Sequence, residues 1–197
     1  MNESTESPLS LLREQTADLH DQVEALLGNR FFEGDSFTEE DYEALLGGFH
    51  RIYSPLEPTL EEALDQHLPR YEYVNRTRQL RDDLLTLGLS RQELSERYQN
   101  PESPPFALDS SARVLGCLYV IEGSEMGKKV IRRQLEKNLA DEHLAADCFF
   151  HDNVDQTRDQ WDQFQSSLES VVQTRREKQQ LVQTAQDTFS WFKVGFT

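Results

Sequence analysis

Apolar residues recur at three- and four-residue spacing along almost the whole chain, and this periodicity constrains the fold more than any other feature of the sequence. Leu12, Leu19, Val23 and Leu26 mark one stripe, and Leu45, Phe49, Ile52, Tyr53 and Leu56 another. No Asn-Gly or Asp-Gly turn separates alternating runs, so the expected class is all-α, a multi-helix bundle without strands. With 197 residues, the chain suits one domain spanning 1–197, with a flexible segment over 1–7.

Local signals divide the bundle. A first helix is expected over Pro8–Leu27, stopped by Gly28 and Asn29, with a short loop from Phe31 to Ser36. Thr38 with Asp41 three residues later forms a capping box for a second helix, which Pro55 and Pro58 should bend. A third helix over Val74–Leu87 should stop at Gly88, and Ser90 with Glu93 caps a short fourth one. Three prolines between Asn100 and Asp109 make a loop. The most apolar stretch, Val114 to Ile121, opens a central helix running to about Leu139. Two further helices follow, near Asn153–Arg175 and Glu177–Lys193.

Charge excludes some functions. Thirty-six acidic residues against twenty basic ones give −16, which opposes binding to nucleic acid or an anionic membrane. Only five of the basic residues are Lys, a balance suited to concentrated salt, where self-repulsion is screened. No run of 18 apolar residues occurs and the first residues are polar, so the expected location is the cytoplasm. Cys117 and Cys148 lack any disulfide or zinc spacing and read as two buried thiols.

Two features could carry chemistry. Gly123 and Gly127 lie one turn apart in the central helix, each costing about 1 kcal/mol relative to Ala. Either a neighbouring helix or a flat ligand approaches the backbone there. His20 precedes Glu24 by one turn, so the carboxylate could accept from one ring nitrogen and leave the other for a metal; an ordinary surface His–Glu pair has the same spacing. The Gly-x-Ser-x-Gly elbow, the P-loop, the dinucleotide fingerprint and His-Glu-x-x-His are all absent from the sequence.

These residues resemble a known family. Leu12-Arg13-Glu14-Gln15-Thr16-Ala17-Asp18-Leu19-His20, with Glu24 following, is similar to the first helix of heme oxygenases. Phe49-His50-Arg51-Ile52-Tyr53-Ser54-Pro55-Leu56-Glu57 resembles their second helix, and Arg78-Gln79-Leu80-Arg81-Asp82-Asp83-Leu84 their third. Tyr119-Val120-Ile121-Glu122-Gly123-Ser124-Glu125-Met126-Gly127 resembles the distal helix of bacterial members, and the Trp161 to Leu168 pattern also fits.

The resemblance implies a heme-oxygenase-like bundle that clasps heme, substrate and cofactor at once, between the first and distal helices. It makes His20 the iron ligand, with Glu24 beside it, and lets the backbone of Gly123 and Gly127 cover the macrocycle. Ser124 then stands where animal-type members place an Asp that anchors distal water, and Arg13 where a basic residue approaches a heme propionate. The implied reaction opens the ring to biliverdin, iron and carbon monoxide, using electrons from a ferredoxin or reductase.

Two departures matter. Lys128 replaces a second glycine of many relatives; it should snorkel to solvent or a propionate, or else narrow the pocket or compete for iron. The sixth helix carries no Lys or Arg between Arg158 and Arg175, where relatives offer basic residues to the propionates, so heme should bind more weakly or turned in its plane. An alternative, favoured by Lys128, is a non-catalytic heme- or bilin-binding protein on the same scaffold, one that could supply a bilin-using photoreceptor.

Overall fold

A computed structural model describes residues 7–33, 37–99, 102–138, 146–151 and 154–196. Its described residues form seven helices and no strand: α1 (Pro8–Phe31), α2 (Glu39–His67), α3 (Arg76–Thr86), α4 (Arg91–Tyr98), α5 (Ser111–Asn138), α6 (Val154–Val171) and α7 (Arg175–Gly195). The segment 1–6, expected to be flexible, lies outside the described residues, as do 34–36 of the first loop, Asn100, Leu139 and Asn153.

The helix starts follow local chemistry. The Thr38–Asp41 and Ser90–Glu93 capping boxes both form, each hydroxyl accepting from the third backbone N–H while the carboxylate accepts from the cap's own N–H. Gly88 closes the turn after α3 with φ of 99°, a conformation that penalises a Cβ. Helix α7 starts at its own capping box, Thr174 with Glu177, so α6 ends at Val171 rather than near Arg175.

Packing decides the rest. Helix α1 continues past Gly28 to Phe31, because Phe31 is buried edge-on against Phe196 and Arg30 donates to the Phe196 carbonyl. That burial outweighs the glycine's intrinsic cost of about 1 kcal/mol. Helix α2 runs unbroken through Pro55 and Pro58, with a buried face from Tyr42 to Leu64. Helix α7 is the shared support, packing against both α1 and α5, while α6 covers another side of α5. Four glycines enable these close approaches: a Cβ at Gly116 would strike the Leu181 carbonyl, one at Gly195 the Ile52 side chain, and those at Gly47 and Gly48 the rings of Tyr98 and Phe196. Of the two thiols, Cys117 is buried as expected, but Cys148 is exposed, because the short 146–151 segment turns its neighbours Phe149 and Phe150 inward instead.

Candidate functional site

Helices α1 and α5 each lean on α7, and Phe189 of α7 links them. Its ring meets His20 of α1 edge-on at 6.1 Å and Tyr119 of α5 at 6.4 Å. One and two turns beyond Tyr119 come Gly123 and Gly127. Unlike the packed glycines, a Cβ at either would meet nothing within 4 Å. Among the described residues the notch therefore serves no helix contact: it leaves about 6 Å of bare, open backbone along α5. Met126 and Val130 continue this stretch and are two of the large hydrophobics most exposed among the described residues, at 48% and 61%. Exposed apolar area beside stripped backbone suits a flat apolar ligand.

His20 stands with its side chain 55% exposed, held by no close hydrogen bond among the described residues. Nε2 is 3.6 Å from Glu24 and Nδ1 is 3.7 Å from Asp21, so a carboxylate can orient either nitrogen while the other takes a metal. Asp21 escaped the sequence reading because adjacent residues point to different sides of a helix; only the swing of the imidazole brings it within reach. The donor atoms of His20, Asp21 and Glu24 all lie within 4.8 Å of one another. Arg13 is exposed two turns earlier on α1, about 10 Å along the axis and on nearly the same face as His20.

Ser124 lies one step round from Gly123. Its hydroxyl donates to the Ile121 carbonyl at 2.7 Å, and Tyr53 Oη lies 3.2 Å from its Oγ. With the serine proton committed to the backbone, the tyrosine is the donor. Burial raises the Tyr53 phenol well above its ordinary range, so it keeps that proton at neutral pH.

Lys128 does not go where the sequence suggested. It is buried on the inner side of α5, with Nζ 2.8 Å from Glu125 and 3.5 Å from the centre of the Phe149 ring. It therefore neither snorkels outward nor narrows the slot, because a helical step of about 100° separates it from Gly127 and an ion pair and an aromatic face hold it there.

Glu125 belongs to a buried ionic cluster that no local motif announces. Arg76, at the start of α3, donates to Glu122 at 2.8 Å, to Glu125 at 2.9 Å and to the Val74 carbonyl at 2.8 Å. Glu57 of α2 accepts from Tyr73 Oη at 2.7 Å and from the backbone N–H groups of Arg76 and Thr77 at 2.6 and 2.8 Å, anchoring the α3 N-terminus. Burial would raise Glu125, but Lys128 and Arg76 beside it hold it below the usual carboxylate range. Glu122 is raised, burial outweighing Arg76. The cluster bolts α5 to α3 on either side of Gly123 and Ser124.

Comparison with known proteins agrees with this architecture. The family model described as heme oxygenase matches residues 7–197. A heme oxygenase of Xanthomonas campestris pv. campestris is 30% identical over 154 residues, 78% of this chain and 87% of the relative. The fold is similar to that of the Neisseria meningitidis heme oxygenase solved with NO and CO bound, with a TM-score of 0.69 at 20% identity, covering 96% of this chain and 90% of that one. Leptospira interrogans heme oxygenase gives 0.67 at 18% identity, covering 97% and 98%.

Proposed function

Because this chain belongs to the heme oxygenase family, we propose that it is an oxygen-dependent oxidoreductase that opens heme to biliverdin, iron and carbon monoxide. One observation carries the reading: an exposed imidazole on α1 and Tyr119, one turn before the glycine strip of α5, meet the same phenylalanine of α7, with open space over both glycines. Those residues fit heme.

Bound heme supplies the redox-active iron and is itself the substrate whose ring is opened. The protein's part is to bind, orient and hydrate. His20 would ligate the iron through one ring nitrogen, with Glu24 or Asp21 accepting from the other and fixing the ring. Gly123 and Gly127, with open space above them, would let the macrocycle lie against main chain. Ser124, with its proton spent on Ile121, offers an oxygen lone pair to a distal water, and Tyr53 behind it holds the hydroxyl in place. Arg13 would take a propionate from the open edge, a role fitted to its charge and fork geometry. Beyond Arg158, the exposed side of α6 offers Asp159, Asp162 and Glu169 but no further cation to a propionate, so Arg13 would carry more of that load.

Lys128 was the feature that favoured a binding-only protein, and its burial beside Glu125 removes that ground. Among the described residues no helix is long and apolar enough to cross a membrane, and we place the protein in the cytoplasm with a ferredoxin or reductase as electron donor. At −16 an acidic donor would meet it slowly except in salt. Biliverdin would be available to a bilin-using photoreceptor.

The test is to add hemin to the purified protein, record the absorption spectrum, and then supply reductant under oxygen. A histidine-ligated spectrum that gives way to bilin supports the reading. A stable, undegraded complex would select a binding protein instead.

A further inference from the structure

Behind the distal helix, away from the glycine strip, a cavity of about 190 Å³ lies between α3, α5, α6 and the 146–151 segment. Its wall includes Arg76, Gln79, Lys128, His151, Thr157 and Gln160, with Glu125 alongside. The volume is several times the roughly 30 Å³ share of one water and far too small for a tetrapyrrole.

Several donors of the wall are not fully spent. Gln160 is 9% exposed, and its Nε2 finds no acceptor among the described residues. Buried amide N–H groups are almost always paired, so this one points to a missing partner. Lys128 spends one N–H on Glu125 and turns its charge to the Phe149 ring, leaving a third N–H. Arg76 has two N–H groups beyond its three hydrogen bonds.

Charge narrows the class of ligand. Arg76 and Lys128 are balanced by Glu122 and Glu125, and the Glu57 carboxylate is consumed by its three donors. A cation would meet donors. A dianion would face two carboxylates without surplus positive charge. A single negative charge sharing two or more oxygen atoms meets the unspent N–H groups. Burial lowers Lys128 to about 8, with Glu125 only partly restoring it, so the ammonium lacks solvation that a polar ligand would replace. His151 stands exposed at the mouth, 3.7 Å from Asp147.

We propose that this cavity binds a small monovalent oxyanion, the carboxylate of a short organic acid or bicarbonate, between Lys128 Nζ and Gln160 Nε2. The site is separate from the heme slot and does not depend on heme being bound.

The whole heme-free protein is titrated with sodium acetate, sodium bicarbonate and inorganic phosphate at neutral pH, sodium chloride making up the ionic strength and serving as the blank. The Gln160 side-chain amide is followed by ¹H–¹⁵N NMR. Acetate or bicarbonate should give a saturable shift in the millimolar range, and the tighter of the two identifies the source. Gln160→Leu removes the reporter, so its binding is read from Lys128 and Thr157 resonances. Gln160→Leu and Lys128→Met should each weaken binding about ten- to hundredfold, as expected for a charge-assisted hydrogen bond. If Lys128→Met does not fold, Gln160→Leu and Thr157→Val decide. No saturable shift, a shift matched by chloride, tighter binding of phosphate, or full affinity in Gln160→Leu would each overturn the proposal.

Discussion

Arg76 Nη2 donates to Glu122 Oε2 across 2.8 Å, with each of the two side chains only 1% exposed. The pair joins the first residue of α3 to the residue immediately before Gly123, so a contact remote from the slot fixes the height of the backbone strip that would cover a heme. Glu125, two residues beyond Gly123, accepts a hydrogen bond from Arg76 Nε at 2.9 Å and makes the clamp two-pronged. Buried ion pairs add little net stability over apolar packing, but removing one partner strands a charge.

Arg76→Met should therefore destabilise the protein by about 3–5 kcal/mol, because Glu122 loses its cation in a dry environment. Adding Glu122→Leu should recover part of that loss. Urea unfolding of both variants checks it: if the single variant unfolds at the parental midpoint, the clamp carries no structural weight.

The glycines predict opposite signs at two places on one helix. In heme-free protein Gly127→Ala should stabilise by up to about 1 kcal/mol, since the new methyl enters open space and improves helix propensity. Gly116→Ala should destabilise, since its methyl meets the Leu181 carbonyl. Gly123→Leu should leave folding intact yet weaken hemin binding about tenfold or more, by filling the strip. Thermal melts without hemin and spectroscopic titration with it separate the two effects.

How far the sequence could be read follows from the range of the forces involved. Thr38 with Asp41 and Ser90 with Glu93 act within one turn, so their helix starts were legible. The end of α1 was not, because Phe31 is held by Phe196 at the other end of the chain. His20, Gly123 and Gly127 stand out in the sequence as candidates because few residue types can ligate a metal or bare a backbone. Lys128 was misplaced because its direction is set by Phe149 on a distant segment, and nothing near Arg76 in sequence announces Glu122.

His20→Ala should abolish the histidine-ligated hemin spectrum while leaving helicity and stability within about 0.5 kcal/mol of the parent, as befits an exposed side chain. Asp21→Asn and Glu24→Gln should each shift the spectrum less, since either carboxylate can orient the ring. An unchanged spectrum in His20→Ala would move the ligand elsewhere.

Lys128 should leave a signature in the pH dependence of folding. Its folded value is about 8, lowered mainly by burial, against 10.5 in the unfolded chain. Below about 8 both states hold the proton and the cost of burying the ammonium is fully present. Between 8 and 10.5 the unfolded chain keeps a proton that the folded protein has released, so this group makes stability rise with pH, by at most about 1.4 kcal/mol per unit. Arg76 and Glu125, which face Lys128 from α3 and from its own helix, keep their charges throughout this range, as their shifts run upward and downward respectively. Cys117, pushed up to about 12, and the raised tyrosines Tyr53 and Tyr73 act in the opposite sense above about 9, so the parent's curve alone mixes the signs. The difference between parent and Lys128→Met isolates the lysine. From pH 8 to 10 the parent should gain about 1–2 kcal/mol on the variant in denaturant unfolding. A flat difference would mean that Glu125 and the Phe149 ring already compensate the ammonium in full.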